Sequence, residues 1–227
     1  MLDFSQPLVV ASLTSDLVEN AREADERGAD AVEVRLDLYD PDGDPLDGLR
    51  SLTDSDVDLP VIATNRPSWE GGDFEGDEDA RVETLRRAAE YADAVDVELN
   101  ASDEVHDEVL DAADDAEATV IASYHDFDST PSDDEIREIL SEASGIGVPK
   151  LAVQAESRDD VLRLLEATLE YDGDVCTIAM GEKGSHSRVV APLYGSRLTY
   201  ASLGDDSTAP GQLTVSEVRQ TLDILLR

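Results

Sequence analysis

Short apolar and β-branched runs recur along the chain, and most are followed by a stretch with the spacing of an amphipathic helix. Eight of these runs predict strands, at Leu8–Leu13, Ala31–Leu36, Leu59–Thr64, Ala94–Leu99, Thr119–Tyr124, Lys150–Val153, Val175–Met180 and Leu198–Ser202. Helical periodicity marks, among others, Leu17–Arg27, Ala80–Tyr91, Asp134–Glu142, Asp159–Tyr171 and Val215–Leu226. Strands that alternate with helices predict parallel βα units.

Eight βα units in 227 residues predict an α/β fold, a (β/α)8 TIM barrel, formed as a single catalytic domain over residues 1–227. A doubly wound open sheet is the alternative. The first strand ends in Ala11-Ser12-Leu13-Thr14 with no G-x-G-x-x-G motif after it, which argues against a dinucleotide-binding sheet. In a barrel, the active site is expected at the C-terminal ends of the strands.

The charge balance excludes several classes of partner. The chain has 54 acidic and 17 basic residues, for a net charge of −37. Such a surface repels phosphates and anionic lipids, so neither nucleic acid nor a membrane is an expected partner. The hydrophobic fraction of 41% still suffices for a core. Because the acids are spread along the whole chain, most are expected to be hydrated surface groups, as in a protein from a very salty cytoplasm.

Signals for compartment and cofactor are few. The chain opens without a signal peptide and has no apolar stretch long enough to span a bilayer, so a cytoplasmic protein is expected. Its one cysteine, Cys176, lies in an apolar run and is expected to be a buried small side chain. No Cys/His cluster suggests a metal, and no cofactor motif is present.

Polar side chains gather where the predicted strands end. The set comprises Ser12, Glu33, Arg35, Asp37, Arg66, Asp96, Glu98, His125 and Lys150. Glu33, Arg35 and Asp37 alternate along the second strand, so they share one of its faces. Taken alone, Glu33 and Arg35 are typical of an ion pair inside a barrel.

Lys150 is the strongest candidate for covalent chemistry. It is one of only two lysines and begins an apolar run, where a desolvated amine is a nucleophile toward carbonyls. Ala152 leaves room for its side chain, and His125 on the neighbouring strand would bring an imidazole close to the amine. The structural alternative is a lysine at a strand start that reaches water. Lys183, in a glycine-flanked loop, is the rival nucleophile.

The histidines have competing interpretations. His125 taken alone is equally typical of a core histidine whose hydrogen bonds are satisfied. His106 lies in the acidic helical run Asp103–Asp111 and is expected to be exposed to solvent. His186 belongs to a loop near Arg188.

A series of short motifs extends over nearly the whole chain. They are Glu33-Val34-Arg35-Leu36-Asp37, Arg66 with Glu70-Gly71-Gly72, Asp96-Val97-Glu98-Leu99, Ser123-Tyr124-His125-Asp126-Phe127 with Thr130-Pro131, Pro149-Lys150-Leu151-Ala152, Met180-Gly181 with Ser187-Arg188, Tyr194-Gly195-Ser196, and Ala209-Pro210-Gly211-Gln212. Each motif is weak alone. Together, in this order, they resemble the type I 3-dehydroquinate dehydratases, the third enzyme of the shikimate pathway.

The resemblance implies a Schiff-base syn elimination of water from 3-dehydroquinate to give 3-dehydroshikimate, with no cofactor. In that family a lysine forms an imine with the ring ketone. A histidine removes the neighbouring proton and then protonates the departing hydroxyl. By motif, Lys150 is the Schiff-base residue, His125 is the general acid/base, and Glu70 orients or tunes that histidine.

The resemblance also implies how the substrate is held. Glu33, Arg35 and Arg66 would bind the ring hydroxyls, and Ser12 belongs to the same mouth. The substrate carboxylate would lie on Arg188, Gln212 and the hydroxyl of either Ser207 or Thr208. A planar guanidinium suits this role because it grips a carboxylate through two parallel hydrogen bonds.

Two departures from the family pattern stand out. Thr208 occupies the position where the family has serine, and Ser207 stands next to it. The chain also lacks the N-terminal hairpin that closes the barrel floor in longer relatives, which predicts a thinner floor. Relatives are commonly dimers, so the resemblance leaves a homodimer open.

Two other functions remain as alternatives. A class I aldolase also uses a barrel lysine, although it usually needs a phosphate site after the seventh and eighth strands. A non-catalytic acidic binding barrel would be expected to have lost Lys150 or His125, and both are present.

The charge alone generates a prediction about salt. Repulsion among carboxylates falls as the Debye length shrinks, from about 10 Å at 0.1 M to about 3 Å at 1 M salt. High salt also strengthens apolar burial by salting out. The melting temperature at pH 7 should therefore rise steadily from low to molar KCl, and activity should follow it. A melting series measures this, and an unchanged midpoint would show that the acidic surface is not an adaptation to salt.

Overall fold

The computed structural model describes residues 1–39, 43–204, 209 and 211–226. Eight parallel strands alternate with helices, which confirms the predicted (β/α)8 barrel. The strands are β1 Leu8–Leu13, β2 Ala31–Arg35, β3 Val61–Thr64, β4 Ala94–Glu98, β5 Thr119–Asp126, β6 Val148–Gln154, β7 Cys176–Met180 and β8 Leu198–Ala201. The α-helices are α1 Leu17–Glu26, α2 Asp47–Thr53, α3 Glu78–Ala88, α4 Asp103–Asp115, α5 Asp133–Ala143, α6 Arg158–Glu170, α7 Gly181–Gly184, α8 Ser187–Val190 and α9 Val215–Leu225.

The sheet runs in the order β7-β6-β5-β4-β3-β2-β1-β8, so the seam of the barrel lies between β7 and β8. A single bridge between Val175 and Ser196 joins the two sides there. The backbone N–H of Arg197 donates to the Val175 carbonyl over 2.7 Å, and the Ser196 hydroxyl accepts from the N–H of Thr177 over 3.1 Å. The Ser196 hydroxyl therefore replaces part of the missing hydrogen-bond ladder between β7 and β8, and the barrel is nearly closed.

The apolar side chains divide between two sides of the sheet, as alternation along a strand requires. Inside the barrel, Val10, Ile62 and Ile121 belong to one buried cluster with Cys176. Outside, residues such as Val9 and Val34 pack against the helices that surround the sheet. Five of the helices, α3, α4, α5, α6 and α9, start at side-chain caps, and Ser132, Ser157 and Thr214 each form a reciprocal capping box.

The floor of the barrel is covered by two side chains near the N-terminus. Leu2 is buried in the interior cluster, and Phe4 packs against it. The Leu2 N–H donates to the Thr119 hydroxyl at the start of β5 over 3.1 Å, which holds the segment in place. An extended N-terminal segment therefore covers this end of the barrel.

The exposure predicted for His106 is wrong. The side chain is only 8% exposed, and its Nε2 lies 2.9 Å from the backbone oxygen of Glu98. The buried face of α4 contains Val105, His106, Val109 and Ala113, which share one stripe at helical spacing. The acidic neighbours of His106 occupy the opposite face. Because they are so numerous, the segment as a whole looks exposed, although His106 points inward.

Element boundaries differ from the prediction mostly at the ends. Helix α2 was not predicted, because four of its seven residues are Asp, Gly, Ser and Thr, which are typical of a loop. Strand β5 extends to Asp126, so His125 lies within the strand rather than after it. Strand β6 starts at Val148, which places Lys150 at its third position. Among the described helices, none is both long and apolar enough to cross a membrane.

Candidate active site

A pocket opens at the C-terminal ends of the barrel strands. It encloses about 530 Å³ of space, part of which is open to solvent. Its lining consists of Ser12, Glu33, Arg35, Arg66, Glu70, Gly71, His125, Phe127, Lys150, Ala152, Ile178, Met180, Arg188, Tyr200, Ala209 and Gln212. The pocket thus brings together every described residue to which the sequence assigned a catalytic or substrate-binding role. Ser207 and Thr208, the two candidate hydroxyls for the carboxylate, lie outside the described residues.

Lys150 lies deep in this pocket and is only 4% exposed, so it does not reach bulk water as a strand-start lysine would. Its Nζ donates to Asp96 Oδ2 over 2.8 Å and lies 3.8 Å from Glu33 Oε1. The ring of Tyr200 lies on another side, with its centroid 4.2 Å from the nitrogen. The amine is therefore held at a fixed point inside the barrel.

Arg66 connects the lysine's carboxylate partner to the rest of the interior. Its Nη2 donates to Asp96 Oδ1 over 2.8 Å, and its Nη1 donates to Glu98 Oε1 and to the Ser123 hydroxyl, each over 2.6 Å. Behind the sheet, Arg81 donates to the second oxygen of Glu98 over 2.6 Å. Burial opposes ionisation of Asp96, but Arg66 and Lys150 outweigh it and hold the pKa of that carboxyl well below its usual range.

His125 faces the pocket one step nearer the mouth than Lys150. In the β5–β6 ladder, Ser123 lies opposite Lys150 and His125 lies opposite Ala152. Ala152 lines the pocket together with both residues, and its small side chain occupies little of that space. On its other face, the imidazole stacks on Phe127, with ring centroids 6.1 Å apart.

Glu70 contacts this histidine through one oxygen. Its Oε1 accepts the backbone N–H of His125 over 2.9 Å and lies 3.2 Å from the imidazole Nδ1. Glu70 comes from a short 3₁₀ turn, Ser68–Glu70, which ends at Gly71 in a left-handed conformation. A side chain at Gly71 would also collide with the ring of Phe127. The glycine therefore lets the turn approach closely enough for Glu70 to reach the histidine.

Burial makes the neutral forms of both groups more favourable. It raises the pKa of Glu70 to about 8, although Arg66 opposes the shift. Burial, helped by Arg66 and Lys150, lowers the pKa of His125 well below its ordinary value. At neutral pH the pair is therefore a protonated carboxyl beside a neutral imidazole. A neutral imidazole can accept a proton, which is the form that a general base needs.

Arg35 pairs with Asp37 within its own strand end, which corrects the expectation of an ion pair with Glu33. Two parallel hydrogen bonds, of 2.9 and 2.6 Å, join the guanidinium and the carboxylate. Glu33 instead accepts hydrogen bonds from Ser12 and Thr64, both over 2.9 Å. Both residues line the pocket, so each keeps a face toward a ligand.

Arg188 provides a second positive centre on the far wall of the pocket. It donates from Nε to the Gly211 carbonyl over 3.1 Å and from Nη1 to the Tyr200 carbonyl over 3.2 Å. Burial lowers its pKa to about 10, so the guanidinium remains charged at neutral pH. The hydrogen bond to Gly211 also ties Arg188 to the segment that carries Gln212.

Lys183, the rival nucleophile, is exposed on α7, where its amine donates to the Glu156 carbonyl, and it does not line the pocket. Within the described residues, no group of three or more His, Cys, Asp or Glu side chains could hold a metal ion.

Comparison with known families shows that residues 7–227 match type I 3-dehydroquinase. This chain belongs to that family. A 3-dehydroquinate dehydratase from Methanocella arvoryzae is 45% identical to it over 225 residues, which cover 99% of both chains. The family resemblance drawn from the motifs is thereby confirmed.

Solved structures of dehydroquinate dehydratases have the same fold. The structure from Geobacillus kaustophilus has a TM-score of 0.89 at 28% identity and covers 98% of this chain and 92% of its own. The type I structure from Clostridium difficile has a TM-score of 0.88 at 30% identity, with 97% and 92% covered. That structure contains covalently modified comenic acid.

Three contacts in the pocket of this family member were not predicted from the sequence. Asp96 was placed at the mouth by the sequence, but its contact with the Lys150 amine was not foreseen. Tyr200 was missed, although its alternation with Leu198 along β8 would have placed it inside the barrel. Asp37 also accepts the Asp73 N–H over 3.2 Å and so links Arg35 to the turn that carries Glu70.

The raised pKa of Glu70 predicts how its replacement changes stability with pH. The carboxyl has an ordinary pKa of 4.5 and one of about 8 when folded, so the folded state binds the extra proton between these values. Ionisation therefore lowers the free energy of unfolding as pH rises through this window, and the full loss is reached above about 8. Glu70→Gln, which stays neutral, should gain stability relative to the parent over this range, on the order of a few kcal/mol.

Denaturant unfolding across this pH range measures the effect. Glu90→Gln, at an exposed glutamate on the outer surface, is the matched control and should show a constant difference from the parent. A stability difference for Glu70→Gln that does not grow with pH would contradict the raised pKa.

Proposed function

We propose that this chain converts 3-dehydroquinate to 3-dehydroshikimate and water through an imine on Lys150, with His125 as the general acid/base. The observation that carries the proposal is the buried amine of Lys150, which is fixed by Asp96 and lies below a neutral imidazole in a pocket of a type I 3-dehydroquinase. Family membership favours this dehydration over a class I aldolase reaction.

Substrate binding would use the two cationic sides of the pocket. Arg188 would hold the substrate carboxylate, together with Gln212 and a hydroxyl from Ser207 or Thr208. Glu33, Arg35 and Arg66 would bind ring hydroxyls from the opposite wall, where all three line the pocket and Ser12 supports Glu33 by a hydrogen bond. This arrangement would present the ring ketone to the Lys150 amine.

Imine formation joins the lysine nitrogen to the carbonyl carbon, and the carbonyl oxygen leaves as water. The protonated imine then draws electrons from the neighbouring C–H bond. His125 takes that proton, and the C–H electron pair forms an enamine. The same histidine gives its proton to the leaving hydroxyl, which departs as water while a C=C bond forms and the imine is restored. A further water hydrolyses the imine and frees Lys150.

Glu70 would orient the imidazole during these proton transfers. Its Oε1 contacts both the backbone and Nδ1 of His125, so the opposite ring nitrogen is the one available to the substrate. The covalently modified comenic acid in the Clostridium difficile relative is consistent with covalent chemistry in this family, and supports the same chemistry here.

Covalent capture tests the identity of the nucleophile. Borohydride reduction in the presence of 3-dehydroquinate should fix a ligand adduct on the Lys150 peptide, because reduction converts the imine to a stable amine. Peptide mass spectrometry measures the adduct. Lys183→Arg is the control and should be labelled like the parent, because Lys183 lies outside the pocket. An adduct on Lys183, or an active enzyme that yields no adduct, would refute the assignment.

Single replacements separate the two catalytic roles. Lys150→Ala should lose both adduct and turnover. His125→Ala should lower kcat by roughly 10²–10⁴-fold, the usual effect of a lost acid/base, while some adduct still forms. Turnover is followed by the conjugated-enone absorbance of the product. His186→Ala, at an exposed histidine, is the control and should retain turnover. Near-normal turnover in His125→Ala would exclude its role.

A further inference from the structure

Tyr200 presents its ring to the catalytic amine from inside the barrel. The residue lies on β8 opposite Val10, is 5% exposed and lines the pocket. Its ring centroid is 4.2 Å from Lys150 Nζ. The face of an aromatic ring carries negative charge density, and a cation within about 6 Å of the centroid is attracted to it. The contact with Lys150 is well inside that limit.

The ring completes the surroundings of the lysine nitrogen. Asp96 accepts a hydrogen bond from the nitrogen at 2.8 Å, and Glu33 lies 3.8 Å away. Both carboxylates have other partners, Arg66 for Asp96 and the hydroxyls of Ser12 and Thr64 for Glu33. The ring of Tyr200, with its centroid 4.2 Å away, is the uncharged group among these three neighbours of the nitrogen.

We propose that Tyr200 is a positioning residue, whose ring face holds the Lys150 nitrogen in its cationic forms, first as the ammonium and then as the protonated imine. This inference rests on the proposed function, because it concerns the same covalent intermediate. The imine nitrogen keeps one N–H bond that can still donate to Asp96. Its positive charge stays beside the ring after the substrate has bound, so the contact applies to both states.

The hydroxyl of Tyr200 does not account for the residue's role. The oxygen is fully buried and has no hydrogen-bond partner among the described residues. Burial raises the pKa of Tyr200 well above its ordinary value, and Glu33 and Cys176 act in the same direction. The phenol therefore stays neutral and cannot serve as an anionic partner for the amine. The ring face is therefore the part of Tyr200 that can interact with the Lys150 cation.

Several titratable groups lie around this nitrogen. They face it from six strands or their ends: Glu33 from β2, Arg66 after β3, Asp96 from β4, His125 from β5, Cys176 from β7 and Tyr200 from β8. The pH dependence of imine formation reports all of them at once. The contribution of the ring must therefore be read from the difference between variants that alter only position 200.

The test measures imine capture by cyanoborohydride with 3-dehydroquinate as the probe. The initial rate of adduct formation on the Lys150 peptide is followed across neutral and mildly alkaline pH. Tyr200→Leu and Tyr200→Met remove the ring, the second with a chain that refills the space. Tyr200→Phe keeps the ring and removes the hydroxyl. Leu198→Ala, a buried residue of β8 outside the pocket, controls for core damage.

The two ringless variants should show two changes. The pH midpoint of capture should fall by roughly 0.5–1 unit, because the ammonium loses stabilisation and the neutral amine becomes available at lower pH. The plateau rate should fall roughly 2- to 30-fold, because the protonated imine loses the same contact. Tyr200→Phe should restore both values toward those of the parent. Leu198→Ala should lower Tm and leave the midpoint in place.

Each remaining outcome would overturn the inference. Ringless variants with the midpoint and plateau of the parent would show that the ring has no effect on the cation. If Tyr200→Phe instead shows the lowered midpoint and plateau expected of the ringless variants, the effect belongs to the hydroxyl. A midpoint shift of equal size in Leu198→Ala would assign it to general core damage. If the parent itself yields no adduct, the proposed function and the inference fall together, whereas the other outcomes overturn the inference alone.

Discussion

The pairing of Asp96 with two cations is the interaction on which the interior of this barrel depends. A carboxylate with no exposure to water is unstable unless charges and hydrogen bonds surround it. Asp96 meets this condition through Arg66 on one oxygen and Lys150 on the other, with the Ser123 hydroxyl donating to the first. The same pairing fixes the lysine nitrogen in space. One set of contacts therefore both permits the buried charge and positions the proposed nucleophile.

The remaining site follows from the alternation of side chains along parallel strands. Ser123 and His125 are successive inward residues of β5, and Lys150 and Ala152 are their counterparts on β6. The charged level around Lys150 thus lies directly below the level of the imidazole. Burial keeps the imidazole neutral, whereas the cluster below keeps its charges through pairing. A neutral imidazole and charged side chains therefore coexist in one small pocket, because the charged side chains have partners of opposite charge and the imidazole does not.

The sequence predicted the barrel and most of the pocket, because both depend on patterns that are local in the chain. The alternation of side chains along a strand indicates which residues point inward even when their contacts are unknown. The sequence alone therefore indicates most of the residues that line the pocket. Contacts between distant residues were not predictable in this way. The Asp96–Lys150 hydrogen bond and the Tyr200 ring contact depend on side-chain length and direction across the barrel. His106 was misplaced for a related reason, since the acids around it outweighed its position on the helix.

The acidic surface and the cationic pocket act on an anionic substrate in opposite directions. A net charge of −37 repels a carboxylate at long range, and that repulsion is screened within about 10 Å at 0.1 M salt. Inside the pocket, the cationic side chains of Arg35, Arg66, Lys150 and Arg188 line a partly buried space. Charges in such a space are screened much less than surface charges. Salt therefore weakens the barrier to approach more than it weakens the proposed contacts with the substrate, so an acidic exterior and a cationic pocket are compatible at high salt.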